Sequence, residues 1–326
     1  MIALSNDVWF GIHASQEGCN FKDVNEICLA TENLGYDTFT VMDHFMNQFQ
    51  PYEKGAHSLE AWTLLAGLAA TSNKIKLGTL VSCYAYRPPT LMAKMATTVD
   101  IISDGRLIFG IGAGWHEGEF KGYYGRFPPA SERLTGLDET VQICRNMFTN
   151  EVSSFNGRMY QVTNVLNSPL PIQKNIPILI AGGGEKRTLK IAAKYADISH
   201  IFPWAGPGQV KHKFEVLKKH CDSVGRAYDE IRKGVGFVVT FGDDNDEILE
   251  KIKQMTSVTG LSFEETLSSF ESWTNVWIKG SVSEVIDELK KYSNLGIGWY
   301  SFSFSPNPSL KDLRVLKEEV LPAIHP

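Results

Sequence analysis

Apolar, β-prone runs alternate with helical stripes along nearly the whole chain. Asp7–Ala14 is the first such run. Phe21–Leu34 follows, with Phe21, Val24, Ile27, Cys28, Thr31 and Leu34 at three-four spacing before Gly35. That spacing puts the apolar side chains on one helical face, and a glycine ends it. The unit then repeats. Asp37–Met42 precedes a helix over Leu59–Ala70. Ile75–Ser82 precedes Pro88–Ile102, which opens on a proline suited to a first helical turn. Arg106–Gly112 precedes a helix marked by Leu134, Leu137, Val141, Cys144 and Phe148. Ile178–Ala181 leads to Glu185–Tyr195, Asp197–Phe202 to Val210–Val224, and Gly234–Phe241 to Asp246–Met255. Gly298–Phe304 is the last strand, and Leu310–Leu321 closes the chain. Ser281 with Glu284, and Ser309 with Asp312, are capping-box patterns for the last two helices.

Alternating βα units predict a parallel sheet. Eight of them in 326 residues predict a closed (β/α)8 TIM barrel, spanning residues 1–326 as one domain. Two intervals exceed a plain unit, one after strand 4 and one after strand 7. Asn150–Asn175 has the makings of a hairpin, Val152–Phe155 and Arg158–Val162 about Gly157. Thr256–Lys279 is mixed and carries Trp273 and Trp277. Barrel insertions of this kind cover the active-site mouth or mediate association.

Composition narrows the class. The chain is 43% hydrophobic and 21% charged, which is ordinary for a globular protein. No apolar run approaches the roughly 18 residues of a membrane span, and the N-terminus lacks a signal-peptide layout. Five cysteines, widely spaced and without a CxxC pair, indicate neither a disulfide framework nor a zinc site. A reducing cytoplasm is the expected setting. The net charge of −5 argues against a nucleic-acid surface.

Barrel active sites form where strands end and βα loops begin. Those eight points carry His13, Asp43-His44, Ser82-Cys83-Tyr84, Ala113-Gly114-Trp115, Gly182-Gly183-Gly184, Phe202-Pro203-Trp204, Phe241-Gly242 and Phe304-Ser305. The set is aromatic and rich in glycine and histidine. It has no facing carboxylate pair and no metal-ligand spacing, so no metal is expected. A planar cofactor with a phosphorylated tail suits it, since glycines let a ligand approach the main chain. His44, just past a strand, can move protons near neutral pH, or can be a structural histidine bonded to a carbonyl. Gly182–Gly184 joins a strand to a helix whose free N–H groups would bind a phosphate, with Lys186 and Arg187 in the first turn; a plain flexible turn is the alternative. Trp115 can cover a flat ring or pack in the mouth. Arg126 and Arg133 can meet anions or sit in solvent. His116 and Glu117 rank second, and Cys83 reads as a small lining residue.

Together these motifs resemble the bacterial-luciferase-like monooxygenase superfamily. The similarity runs from Asp43-His44-Phe45 through Glu60-Ala61-Trp62, Lys76–Val81, Tyr86-Arg87-Pro88-Pro89 and Asp100-x-x-Ser103-x-Gly105-Arg106. It continues through Gly112-Ala113-Gly114-Trp115-His116-Glu117-x-Glu119, Glu132-Arg133-Leu134, Gly157-Arg158, Gly182-Gly183-Gly184-Glu185 and Gly280-Ser281. Within it the chain is most similar to the branch dependent on the deazaflavin coenzyme F420, with FMN as the alternative. The resemblance implies a small-molecule substrate, hydride transfer by F420 and a homodimer. It implies His44 as catalytic residue and Asp43, Cys83, Ala113, Gly114 and Trp115 as cofactor contacts. It further implies a cis peptide at Leu80-Val81 beside the ring, and phosphate on Gly182, Gly183 and Gly184. Sugar-phosphate dehydrogenases of that branch carry an acidic proton donor where this chain has Trp115, which argues against sugar-phosphate oxidation. With FMN the same barrel would serve a monooxygenase. A non-catalytic flavin-binding or deazaflavin-binding protein is the reading from a different class.

Overall fold

The computed structural model describes residues 8–48, 57–305 and 307–325. Eight strands form the barrel: β1 Trp9–Ala14, β2 Thr38–Val41, β3 Lys76–Thr79, β4 Leu107–Gly112, β5 Ile178–Ala181, β6 Ile198–Ile201, β7 Arg232–Phe241 and β8 Trp299–Ser303. Asp7, expected to open the first strand, lies outside the described residues. Each strand pairs in parallel with the next, and β8 returns to β1 through Trp299 opposite Trp9 and Phe302 opposite Ile12. The eight strands therefore close into a barrel. The expected strand Ile75–Ser82 is divided. β3 ends at Thr79, the Leu80-Val81 peptide is cis, and Ser82–Cys83 then pairs with the end of β4.

The helices form the outer layer. They are α1 Phe21–Asn33, α2 Ala61–Thr71, α3 Pro89–Ile102, α4 Glu117–Tyr124, α5 Ala130–Thr149, α6 Thr188–Tyr195, α7 Gly206–Val224, α8 Asn245–Thr259, α9 Phe263–Glu271, α10 Val282–Lys290 and α11 Leu310–Val315, which runs on helically to Ile324. In α1 the buried residues are Val24, Cys28 and Thr31, the stripe that its spacing requires. Ser281 and Ser309 each close a reciprocal capping box, with Glu284 and Asp312. Each cap satisfies amides that would otherwise lack partners, at about 1 kcal/mol.

Between α5 and β5 lies an antiparallel hairpin, Val152–Asn156 with Gln161–Leu166. Its second strand starts three residues later than the sequence suggests. After α8 comes α9, then a strand Trp277–Gly280 that pairs in parallel with the outer half of β7. Val238, Ile252, Met255, Phe270 and Trp277 make a small second core there, with Trp273 packed on it.

The barrel interior is layered. At the base, the Trp9 ring lies under Arg232, 3.8 Å from its centroid, with Lys76 at 4.9 Å. Above it, Trp299 donates to Thr38 Oγ1 at 3.0 Å among Ile108, Leu179 and Ile198. Higher still, His200 bonds Ser301 Oγ at 2.9 Å, and His13 bonds Thr40 Oγ1 at 3.1 Å. His200 reaches Ser301 across β7 because Gly236 lies between them. A Cβ there would come within 2.9 Å of His200 Cε1 and 3.0 Å of Ser301 Oγ.

Glycine is required on β4 as well, where a Cβ on Gly110 would collide with the Thr79 carbonyl, a backbone atom that cannot swing aside. Gly110→Ala should therefore destabilise the fold by about 1–3 kcal/mol, the usual cost of overpacking. Gly208→Ala, on α7 with nothing near its would-be Cβ, should be neutral or stabilising by up to about 1 kcal/mol. Urea midpoints of the two variants check this, and equal midpoints would refute it.

Candidate active site

Past β2 the chain turns over the barrel mouth through Asp43 and His44. Asp43 is buried, and both its carboxylate oxygens accept from Arg87, at 2.7 and 2.9 Å. Arg87 also reaches Glu60, whose carboxylate caps α2 by accepting from the Trp62 and Thr63 amides. Burial works against the Arg87 charge, but the two carboxylates outweigh it and raise its pKa. This bidentate pair is the stronger kind of charged hydrogen bond. Asp43 thus points to Arg87 and serves as a strut of the mouth.

His44 is mostly buried and directs Nδ1 at Glu119 Oε2, 2.8 Å away. Glu119 is fully buried. It also accepts from the Tyr86 hydroxyl at 2.6 Å and from the Phe45 and Met46 amides at 2.6 and 3.1 Å. Burial disfavours its charge. The hydrogen bonds, led by that of His44, overcome this and hold the carboxyl below its ordinary value. A carboxylate only accepts, so Nδ1 of His44 carries the hydrogen that faces it.

Trp115 projects from the end of β4 with 62% of its surface exposed, edge-on to His44 at 5.5 Å between ring centroids. His116 lies edge-on to both rings, 5.8 Å from His44 and 5.2 Å from Trp115. It caps α4, its Nδ1 accepting from the Glu119 amide at 3.1 Å. Gly114 has φ +71°, and a Cβ there would strike Cys83 and Phe120. Packing as well as any ligand therefore demands this glycine. Arg133 holds the Gly114 carbonyl at 2.6 Å and lies over the Phe127 ring. Arg126 pairs with Glu132 at the surface. Cys83 is buried, and burial pushes its thiol up to about 12, which removes it as a nucleophile at neutral pH. Val81 packs against the position a Cβ on Gly112 would fill, at 2.9 Å. Asp43, His44, Cys83, Ala113, Gly114 and Trp115 thus gather at the ends of β2, β3 and β4, with Leu80-Val81 at their base.

Gly182–Gly184 follows β5, the next strand round the ring. The Gly182 amide is committed to the His200 carbonyl at 2.9 Å. Among the described residues the Gly183 and Gly184 amides have no partner. Gly183 borders only the Lys213 side-chain stem, 3.6 Å from a would-be Cβ. The expected helix from Glu185 starts instead at Thr188, so Lys186 and Arg187 precede its first turn. Arg187 turns away to Ser131 and Thr135 on α5. Lys213, from α7, borders Gly183 with its side-chain stem and pairs with Glu185 at 2.6 Å.

Sequence reasoning overlooked Glu119, Tyr86 and Arg87 as site residues, although all three stand in the quoted motifs. The His116-x-x-Glu119 spacing was the available signal, a polar cap with an acid at the third helical position. Among the described residues no three metal-ligating side chains cluster, and no helix is long and apolar enough to cross a membrane.

A family model described as luciferase-like monooxygenase matches residues 1–297. The F420-dependent glucose-6-phosphate dehydrogenase of Nocardia farcinica is 25% identical over 340 residues, covering 98% of each chain. A pyrimidine monooxygenase of Acinetobacter baylyi is 29% identical over 254 residues, 76% of this chain and 67% of that one. An F420-dependent secondary alcohol dehydrogenase, solved with an F420–acetone adduct, superposes with a TM-score of 0.84 at 20% identity, over 98% of this chain and 100% of that one. The F420-dependent tetrahydromethanopterin reductase of Methanopyrus kandleri gives 0.79 at 19%, over 98% and 99%. At these identities the superpositions carry the fold.

Burial pushes the imidazoles of His13 and His200 down from 6.5, to about 4 and about 3. Both are neutral when folded and gain protons near their ordinary value once unfolded. The unfolded chain therefore binds more protons below pH 6.5, so this stability is complete above 6.5 and lost as the pH falls toward about 4. Each contributes a slope of up to about 1.4 kcal/mol per pH unit. Urea unfolding at about pH 7 and about pH 5 should show a shallower fall for His200→Gln than for wild type; equal falls would exclude His200 as a source.

Proposed function

The chain belongs to the luciferase-like monooxygenase family, and from that membership we propose an oxidoreductase that uses coenzyme F420 to exchange a hydride with a small organic substrate. The observation that carries this reading is His44, tied through Nδ1 to a buried carboxylate and left with Nε2 for chemistry at the barrel mouth. Relatives named for F420 cover nearly the whole chain, which supports F420 over FMN.

The residues present fit the cofactor. Gly183 and Gly184 lie before α6 with space over Gly183, where a phosphate would meet main-chain amides. Lys213 stands beside them. Leu80, Val81, Cys83, Ala113 and Gly114 would border the ring, and Trp115 would lie at its open side. When bound, the cofactor supplies a two-electron hydride carrier, and the chain supplies orientation and proton handling. His44 would take or give a proton at Nε2 while its Nδ1–H stays donated to Glu119. Asp43 braces the loop through Arg87 and keeps His44 in place. Trp115 stands where the resemblance puts an acidic donor in sugar-phosphate dehydrogenases. The substrate is therefore read as an apolar or planar compound instead of a sugar phosphate.

Parallel equilibrium titrations of the apoprotein should show tighter binding of F420 than of FMN, and the reverse order would overturn the cofactor assignment. In the same assay Gly183→Asp should weaken F420 at least tenfold, about 1.4 kcal/mol, by setting a carboxylate against the phosphate. Unchanged affinity in the folded variant would remove the loop from the site.

His44→Gln keeps a polar group at the mouth but cannot exchange a proton near neutral pH. It should bind cofactor normally and lose about 10²–10⁴-fold in turnover on any substrate the wild type accepts. Wild-type turnover in this variant would make His44 structural.

A further inference from the structure

We propose that Glu119 is a positioning residue that sets His44 and His116 in opposite tautomers, leaving a lone pair at His44 Nε2 and a proton at His116 Nε2. This rests on the reading of the barrel mouth as the substrate site and adds a second working residue to it.

The argument is one of donors and acceptors. Glu119 touches both histidines through different atoms. Its carboxylate, with no exposed surface, faces His44 Nδ1 at 2.8 Å. Its backbone amide faces His116 Nδ1 at 3.1 Å. A carboxylate only accepts, so His44 Nδ1 carries the hydrogen. A backbone amide only donates, so His116 Nδ1 carries the lone pair. Each neutral ring then shows the reverse character at Nε2: His44 an acceptor, His116 a donor. The rings stand edge to face, 5.8 Å apart, with Trp115 against both. Gly118 makes the His116 placement feasible, since a Cβ there would press on the His116 ring at 3.2 Å.

An accepting ring beside a donating one gives the mouth hydrogen-bonding groups of both polarities. A tautomer fixed by a neighbour of fixed polarity needs no reorganisation when the substrate arrives.

Glu119→Gln separates positioning from bulk structure. The Phe45 and Met46 amides, which share one carboxylate oxygen, require an acceptor in that place. The carboxamide oxygen must take it, and the amide NH₂ then faces His44 Nδ1 as a donor. The His44 tautomer should switch to Nε2–H, while His116, held by a backbone amide, should not change.

The experiment uses the full chain labelled with ¹⁵N-histidine, without ligand, and reads tautomers from long-range ¹H–¹⁵N correlation spectra. Signals are assigned by their loss in His44→Gln and in His116→Ser, where serine preserves the cap of α4. The expected result is Nδ1–H for His44 and Nε2–H for His116 in wild type, with only His44 switching in Glu119→Gln. His116 protonated at Nδ1, or His44 unchanged in a folded Glu119→Gln, overturns the proposal. Should that variant fail to fold, the wild-type spectra decide by themselves. F420 affinity measured on the same samples separates the two ideas: no F420 binding with the expected tautomers sinks the cofactor assignment and leaves the histidine pair standing.

Discussion

The Glu119 carboxylate, standing on α4, draws hydrogen bonds from two other parts of the chain: the segment after β2 through His44, Phe45 and Met46, and the segment after β3 through Tyr86. A buried charge of this kind persists only if its oxygens are satisfied. The requirement runs both ways. The Phe45 and Met46 amides, the Tyr86 hydroxyl and His44 Nδ1 would all lose a partner without it. Arg87 repeats the arrangement one layer away, clamped between Asp43 and the cap of α2. Two buried ionic hubs thus turn loops that could wander into a rim of defined shape.

Below the rim, the barrel interior is graded from cationic and aromatic at its base to polar near its top. Arg232 and Lys76 both lie against the Trp9 ring, Trp299 fills the middle, and His13, Thr40, His200 and Ser301 form the upper layer. Glycines at 110 and 236 make room for backbone and for His200, so the interior excludes large side chains just where polar ones meet. The tryptophans of the barrel therefore divide. Trp9 and Trp299 are core, whereas Trp115 and Trp204 keep half or more of their surface exposed. Only the latter two are available to a ligand, although Trp204 also packs edge-on against Trp273 of the second insertion.

The barrel was legible in the sequence because each βα unit has its own period and its own punctuation. Helical stripes, glycine stops and the serine caps at 281 and 309 are local signals, readable over a few residues. The candidate positions His44, Gly114 and Gly182–Gly184 followed from the rule that barrel sites gather at strand ends. Local reading failed where partners are remote. Nothing near Asp43 announces Arg87, 44 residues on. Nothing near His44 announces Glu119, 75 residues on. Arg187, beside the glycine loop in sequence, is taken by α5, and Lys213 from α7 stands there instead.

What the sequence determined by itself was the order of elements, the closed parallel barrel that they imply and the rim on which the chemistry sits, because apolar periodicity and turn chemistry act over short distances. Tertiary structure alone decided which side chains became struts and which remained open to a ligand, and which nitrogen of each of His44 and His116 meets Glu119. Those outcomes depend on burial and on donor–acceptor pairing between segments that only folding brings together, and a buried donor or acceptor takes whichever partner the closed barrel delivers to it.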